Sequence, residues 1–132
     1  IVQLNFNSYI SLNDEMKSLE KQSEIFKALS EPNRIRIIKI LQVKSLCVCE
    51  ITEILQLAAS TVSKHLSILK SAGFIIDEKD NKWINYMINP NPHDPGILSA
   101  LFSIKLMMED DETIQHDRQK LKIVDREVLC KV

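Results

Sequence analysis

Apolar positions along this chain recur mostly at helical intervals. From Met16 to Leu29 a largely charged segment carries Leu19, Ile25, Phe26 and Leu29, which predicts a first helix. Glu31-Pro32 breaks it, and Pro32 suits the first turn of a second helix, where its missing N–H costs nothing. That helix carries the broadest apolar stripe, Ile35, Ile37, Ile38, Ile40 and Leu41, and is expected at the centre of the core. Ser45 to Cys47 reads as a connection. A third helix follows over about Val48 to Leu57, with Ile51, Ile54 and Leu55 inward, and Ala58-Ala59 is a short turn. A fourth helix covers about Ser60 to Ser71. At roughly 100° per residue, Val62, Leu66 and Leu69 share one face and Ser60, Lys64, Ser67 and Ser71 the opposite one.

Gly73 suits the end of that helix. Phe74-Ile75-Ile76 then reads as a strand, Asp77 to Lys82 as a polar turn, and Trp83 to Ile88 as the returning strand of a hairpin. Asp94-Pro95 is an N-cap followed by proline at the first helical position, so a fifth helix runs from Pro95 to about Met108. It is apolar over more than half its circumference (Ile97, Leu98, Leu101, Phe102, Ile104, Leu106, Met107, Met108), more than one small core can use. A sixth helix starts at Asp110 or Asp111, where acids suit the positive end of the dipole, and carries Ile114, Leu121, Val124 and Val128.

These elements predict a mainly α fold with a small β-hairpin: a winged helix-turn-helix of about six helices and a two-stranded wing. At 132 residues the chain is one domain's worth. Residues 1–15 carry no charge before Asp14 and read as an N-terminal extension, with a non-native origin and a start at Met16 as one explanation; they are set aside from the functional argument. Residues 16–132 form the domain, with dimerising terminal helices. A symmetric homodimer through the first and C-terminal helices would bury the surplus apolar surface of the fifth helix. No apolar run approaches the ~20 residues that span a bilayer, and no leader pattern is visible, so a cytoplasmic protein with no membrane partner is expected.

Net charge is only −1, but its distribution matters more. Between Pro32 and Ala72 six cations (Arg34, Arg36, Lys39, Lys44, Lys64, Lys70) face only Glu50 and Glu53, a net +4, while acids gather at Glu109 to Glu112. A recognition helix needs an apolar face to anchor it and small polar or basic side chains that enter the major groove. Ser60, Thr61, Ser63, Lys64, His65 and Ser67 supply those, with Lys79 and Lys82 in the wing. The alternative is an ordinary amphipathic helix with a solvated face.

At these residues the chain resembles the ArsR/SmtB family of metalloregulatory winged helix-turn-helix repressors. Leu46-Cys47-Val48-Cys49-Glu50-Ile51 is similar to its metal-binding box, Ser60 to Phe74 to its recognition helix and wing entry, Phe26 to Ile38 to its opening, and Asp77 to Tyr86 to its wing. The resemblance is close over Met16 to Ile88 and looser beyond. The Cys-Val-Cys box belongs to the thiophilic branch, and implies a repressor released from double-stranded operator DNA by arsenite or antimonite, or another soft metal ion, with no constitutive cofactor. There are departures. Ala58 and Ala59 stand where the family often has Ser and Gln, which removes a helix cap and a base-reading side chain. Glu78 stands for an Arg, Asn81 for a Gly, and Thr52 for a third ligand found in some members.

Thiolate sulfur is a soft donor and selects thiophilic ions. Side chains two residues apart point about 200° apart on a helix but share a side in an extended segment. Cys47 and Cys49 therefore converge on one ion only if the first turn of the third helix unwinds, and that turn belongs to the helix-turn-helix. The alternative is that both are small buried apolar residues. Cys130, the only other cysteine, is either a third ligand or a tail residue. His93 and His116 have no partner at a metal-ligand spacing. Three cysteines do not make a secreted disulfide framework, so thiols or metal ligands are expected. A repressor using these thiols as a redox or reactive-sulfur sensor is the second reading. A winged-helix scaffold that binds only protein is the third, kept open by Ala58 and Ala59. An arsenate or disulfide reductase would need a Gly-rich oxyanion loop or Cys-x-x-Cys, and the chain has neither, so no enzyme is expected.

Overall fold

The computed structural model describes residues 19–129; the extension at residues 1–15 and Cys130 lie outside the described residues. The described residues form seven helices and one small sheet. In chain order these are α1 (residues 19–29), α2 (Pro32–Leu41), β1 (Leu46–Cys47), α3 (Val48–Leu55), α4 (Ala59–Ala72), β2 (Ile75–Asp80), β3 (Trp83–Ile88), α5 (Pro95–Leu106), α6 (Glu112–Leu121) and α7 (Arg126–Leu129).

Helix α2 is the centre, as its stripe predicts. Glu31 caps it by accepting the Arg34 N–H at 3.0 Å, and every position from Ile37 to Leu41 is buried. Around it the core gathers Ile51, Ile54 and Leu55 of α3, Val62, Leu66 and Leu69 of α4, Phe74 and Ile75, and Ile97, Leu101 and Ile104 of α5. The apolar face expected for the fourth helix is thus the buried one. Helix α4 ends at Gly73, whose φ of 99° is open to glycine, and the Phe74 N–H returns to the Leu69 carbonyl at 3.0 Å. Asp94 caps α5 through the Gly96 N–H at 2.7 Å and also accepts from the Gln22 amide, which ties α1 to the start of α5.

Three expectations need correction. Asp77 to Asp80, expected in a polar turn, continue β2 and pair with β3 as far as Asp80 opposite Trp83, because the ladder rather than side-chain polarity sets the strand's end. The segment before the third helix is more than a connection: β1 pairs with β3, Leu46 opposite Tyr86 and Cys47 opposite Asn85, so the sheet has three antiparallel strands in the order β1-β3-β2. Two residues carry too short a pattern for strand periodicity to register. The series Ile114, Leu121, Val124, Val128 reads as one helix but is two. Helix α6 stops at Leu121, and Asp125 opens α7 by accepting the Glu127 N–H at 2.9 Å.

The charge argument also changes. Arg36 of α2 makes a two-point pair with Asp117 of α6, Nε to Oδ2 at 2.9 Å and Nη2 to Oδ1 at 2.8 Å, and Asp117 is buried. Lys39 is buried and donates to the carbonyls of Ile104, at 2.8 Å, and Met107. Arg34 donates to the Ala28 and Lys27 carbonyls at the end of α1. Half of the six cations in the basic stretch are therefore used internally. Replacing Asp117 with alanine should cost about 3 kcal/mol, the low end for breaking a buried pair because Arg36 keeps 19 % of its side chain exposed. Urea denaturation checks this, and an unchanged midpoint would contradict it.

Candidate nucleic-acid interface and thiol turn

Helix α4 presents one face to solvent. Ser60, Thr61, Ser63, Lys64 and Ser67 are all exposed there, opposite the buried Val62, Leu66 and Leu69. Its N-terminus carries no side-chain cap, because Ala58 stands at the N-cap. The first N–H groups of a helix have no partner inside it, so an anion can accept from them there. Gln56, at φ 57°, supplies the left-handed residue of the turn between α3 and α4. In the wing, Asn81 adopts φ 59°, as its tolerance for that region allows, and Lys79 and Lys82 are exposed beside it. Lys82 Nζ lies 4.7 Å from the Trp83 ring centroid. An exposed ion pair, Lys70 to Asp77 at 2.9 Å, joins α4 to β2.

His65 is placed differently from the other polar residues of α4. Its side chain is 12 % exposed. Arg34 Nη1 lies 3.2 Å from Nδ1, and because guanidinium only donates, Nδ1 accepts and the proton sits on Nε2, 3.7 Å from Glu31 Oε2. His65 thus packs α4 against the start of α2, and the exposed face consists of the other five residues.

The thiol turn lies where β1 becomes α3. Cys47 is the last residue of β1 and the N-cap of α3, with extended backbone angles (φ −88°, ψ 169°). Glu50 stands at N3 and its Oε1 accepts the Cys47 N–H at 3.0 Å, so Cys47 and Glu50 form a capping box with sulfur in the usual hydroxyl position. Cys47 is 3 % exposed. Burial pushes its thiol pKa up; the Glu50 N–H offsets part of this, and the Glu50 carboxylate adds to it. Cys49 sits at the second helical position, half-buried, and carries a disulfide bond rather than the thiol that its sequence context predicts. Among the described residues no group of three or more His, Cys, Asp and Glu side chains is placed to hold a metal ion. The acids expected at the start of the sixth helix are at its start: Asp111 caps it through the Ile114 N–H at 3.0 Å, and Glu109 pairs with Arg118, which holds the Glu109 carboxyl below the usual range.

One cluster beside the thiol turn was not foreseen. Arg126 of α7 reaches Glu50 Oε1 at 3.5 Å and Asp80 Oδ2 at 3.7 Å, and its guanidinium lies 5.1 Å from the Trp83 ring centroid. The cap was legible as Cys47-x-x-Glu50 had cysteine been considered as an N-cap. Arg126 carried no local signal, because its partners are far from it in sequence.

Comparison with known proteins gives a consistent picture. Residues 31–77 match the family model described as bacterial regulatory protein, arsR family. The chain is 43 % identical over 74 residues to an uncharacterized HTH-type transcriptional regulator of Methanocaldococcus jannaschii, covering 55 % of this chain and 83 % of that protein. It is 32 % identical over 104 residues to the arsenical resistance operon repressor of Escherichia coli, covering 78 % and 80 %. In structure it resembles the homodimeric winged helix-turn-helix DNA-binding domain of a possible ArsR-family regulator from Mycobacterium bovis, with a TM-score of 0.59 at 17 % identity over 85 % of this chain and 93 % of that one.

The buried cap makes a direct chemical prediction. The reduced, folded protein should alkylate at Cys47 with iodoacetamide at least about tenfold more slowly than the unfolded chain, because burial favours the neutral thiol and blocks the reagent. The raised pKa means that the rate should still climb above the pH at which an ordinary thiol is fully ionised. Mass spectrometry of timed samples reads both, and equal rates in the folded and unfolded protein would contradict the placement.

Proposed function

The chain belongs to the arsR family of bacterial regulatory proteins, and from that premise we propose that it is a cytoplasmic repressor that leaves its operator when arsenite, antimonite or another soft ion engages Cys47 and Cys49. The family is one of DNA-binding regulators and not of enzymes. The observation that carries the reading is that both cysteines lie in the turn that launches the helix-turn-helix. The exposed face of α4, with Lys64 at its middle, would lie in the major groove, and Lys79 and Lys82 would reach the flanking backbone. The uncapped start of α4 would accept a phosphate where a side-chain cap would have competed.

Soft donors fit a thiophilic ion; the folded turn fits it less well. Cys47 is turned onto the cap and Cys49 is already helical, so bringing their sulfurs together requires opening the first turn of α3. Because β1 pins Cys47 to β3, the change falls on Val48 and Cys49. Helix α3 packs on α4 through Ile51, Ile54 and Leu55, so the opened turn shifts the surface on which α4 rests. The name of the Escherichia coli relative, a repressor of an arsenical resistance operon, supports arsenite as the first ion to test. Cys130 remains a proposed third ligand.

A second reading is favoured by the disulfide at Cys49. In it, two thiols pass two electrons and two protons to a peroxide, whose O–O bond breaks to give two waters, or an alcohol and a water, as the S–S bond forms, and the disulfide-bonded protein leaves DNA.

Anisotropy of a labelled duplex from upstream of the coding sequence tests the first reading. The reduced protein should bind with strong salt dependence, and Lys64→Ala should weaken binding and lower the salt slope by about one. Arsenite should release the parent protein but neither Cys47→Ser nor Cys49→Ser, and Cys47→Ser should fold well because serine is a good N-cap. A double serine variant released at the same arsenite concentration would overturn the assignment; release by peroxide alone would favour the second reading.

The dimer is proposed on its own evidence. Leu98, Phe102 and Leu106 form a stripe on α5 that is 61–66 % exposed, and Leu19 and Phe26 of α1 are exposed to 70 % or more. Surface this apolar implies a partner, and the Mycobacterium bovis neighbour is a homodimer. A second copy would set two recognition helices about 34 Å apart, one DNA turn. Sedimentation should show a dimer at micromolar concentration and a monomer for Phe102→Glu; a monomeric parent would refute the proposal.

A further inference from the structure

We propose that Arg126, bridging Glu50 of the thiol turn to Asp80 and Trp83 at the wing tip, is the positioning residue that couples the state of that turn to the wing. The inference rests on the reading that Cys47 and Cys49 form the sensor.

One carboxylate oxygen links the two halves. Glu50 Oε1 accepts the Cys47 N–H at 3.0 Å and faces Arg126 Nη2 at 3.5 Å. The other arm of the same guanidinium faces Asp80 at 3.7 Å, and its plane lies over Trp83 at 5.1 Å. Asp80 and Trp83 pair opposite each other at the closed end of the hairpin, beside Lys79 and Lys82. The Trp83 ring has cations near it, Arg126 and Lys82, and its buried Nε1 has no hydrogen-bond partner among the described residues. When the first turn of α3 opens, Glu50 no longer stands at N3 and its carboxylate leaves both Cys47 and Arg126. The guanidinium then shifts toward Asp80, and the ring and Lys82 shift with it.

Trp83 is the only tryptophan in the chain and reports on this contact directly. The full-length reduced protein is titrated with sodium arsenite. Three quantities are read: remaining thiols, Trp83 emission and affinity for duplex DNA. In the parent, thiol loss, an emission change and DNA release should occur together. In Arg126→Gln, thiols should be consumed as in the parent, the emission change should vanish, and the inducer's effect on DNA affinity should shrink by about fivefold or more, within the usual range of allosteric coupling. Arg126→Lys, which keeps a charge facing Glu50, should restore part of the response. Glu50→Gln keeps the capping geometry and removes only the ion pair, so it should behave like Arg126→Gln and serves in its place should that variant not fold.

Failure of arsenite to protect the parent's thiols sinks the soft-ion reading on which the coupling rests, whereas protected thiols with DNA release but no change in Trp83 emission overturn the coupling alone. An Arg126→Gln protein that melts near the parent and keeps the full loss of DNA affinity overturns the coupling, and assigns transmission to the β1–β3 ladder instead.

Discussion

Three cations on α2, Arg34, Arg36 and Lys39, tie α1, α6 and α5 to it through contacts inside the fold. A helix buried from Ile37 to Leu41 has no solvated side along that stretch, so Lys39 must find acceptors inside. It finds the orphan carbonyls at the end of α5, Ile104 and Met107, where a positive charge also meets the negative end of the helix dipole. Burial lowers the Lys39 pKa, and the two carbonyls are what an ammonium needs to stay there. Arg34 does the same for α1 through Ala28 and Lys27, and reaches α4 through His65. Arg36 fixes α6 through Asp117, and that contact raises the Arg36 pKa. The angle at which α4 presents Ser63 and Lys64 is thus set from beneath by an α2 whose cations are engaged inside the fold.

Cys47 imposes the second constraint. One extended residue closes β1 against Asn85 of β3 and caps α3. A backbone change there cannot be absorbed locally, because the ladder runs to the wing on one side and the helix runs to the recognition helix on the other. Cys49, two residues on and already helical, lacks that double role. The pair is asymmetric, with one sulfur at the junction of β1 and α3 and the other on the first turn of α3.

What the sequence revealed and what it hid divide along range. Local rules placed Pro32 in the first turn of α2, Asp94 before α5 and Gly73 after α4, because capping needs only neighbours. The face of α4 followed from period alone. The inward use of Arg34, Arg36 and Lys39 did not, since each partner belongs to a different element, 81 residues away for Asp117. A basic stretch of net +4 looked like a DNA surface, yet half its cations hold helices together. His65 shared the polar face on a helical wheel, but the start of α2 covers it. Strand β1 escaped because its evidence lies in β3, and the Arg126 bridge because a four-residue helix has almost no periodicity to read.

The choice of cysteine at an N-cap has a physical logic of its own. Serine, aspartate and asparagine cap well because oxygen accepts strongly from the N2 or N3 N–H. Sulfur accepts weakly, so a cysteine cap holds the first turn of α3 with less than an ordinary cap would supply. Glu50 compensates from N3 by accepting the Cys47 N–H, and Arg126 in turn holds Glu50. The turn is therefore closed by a carboxylate and a guanidinium more than by the residue at its corner. Such a corner costs less to open than one capped by oxygen. A stronger cap would make α3 more stable and its first turn harder to open.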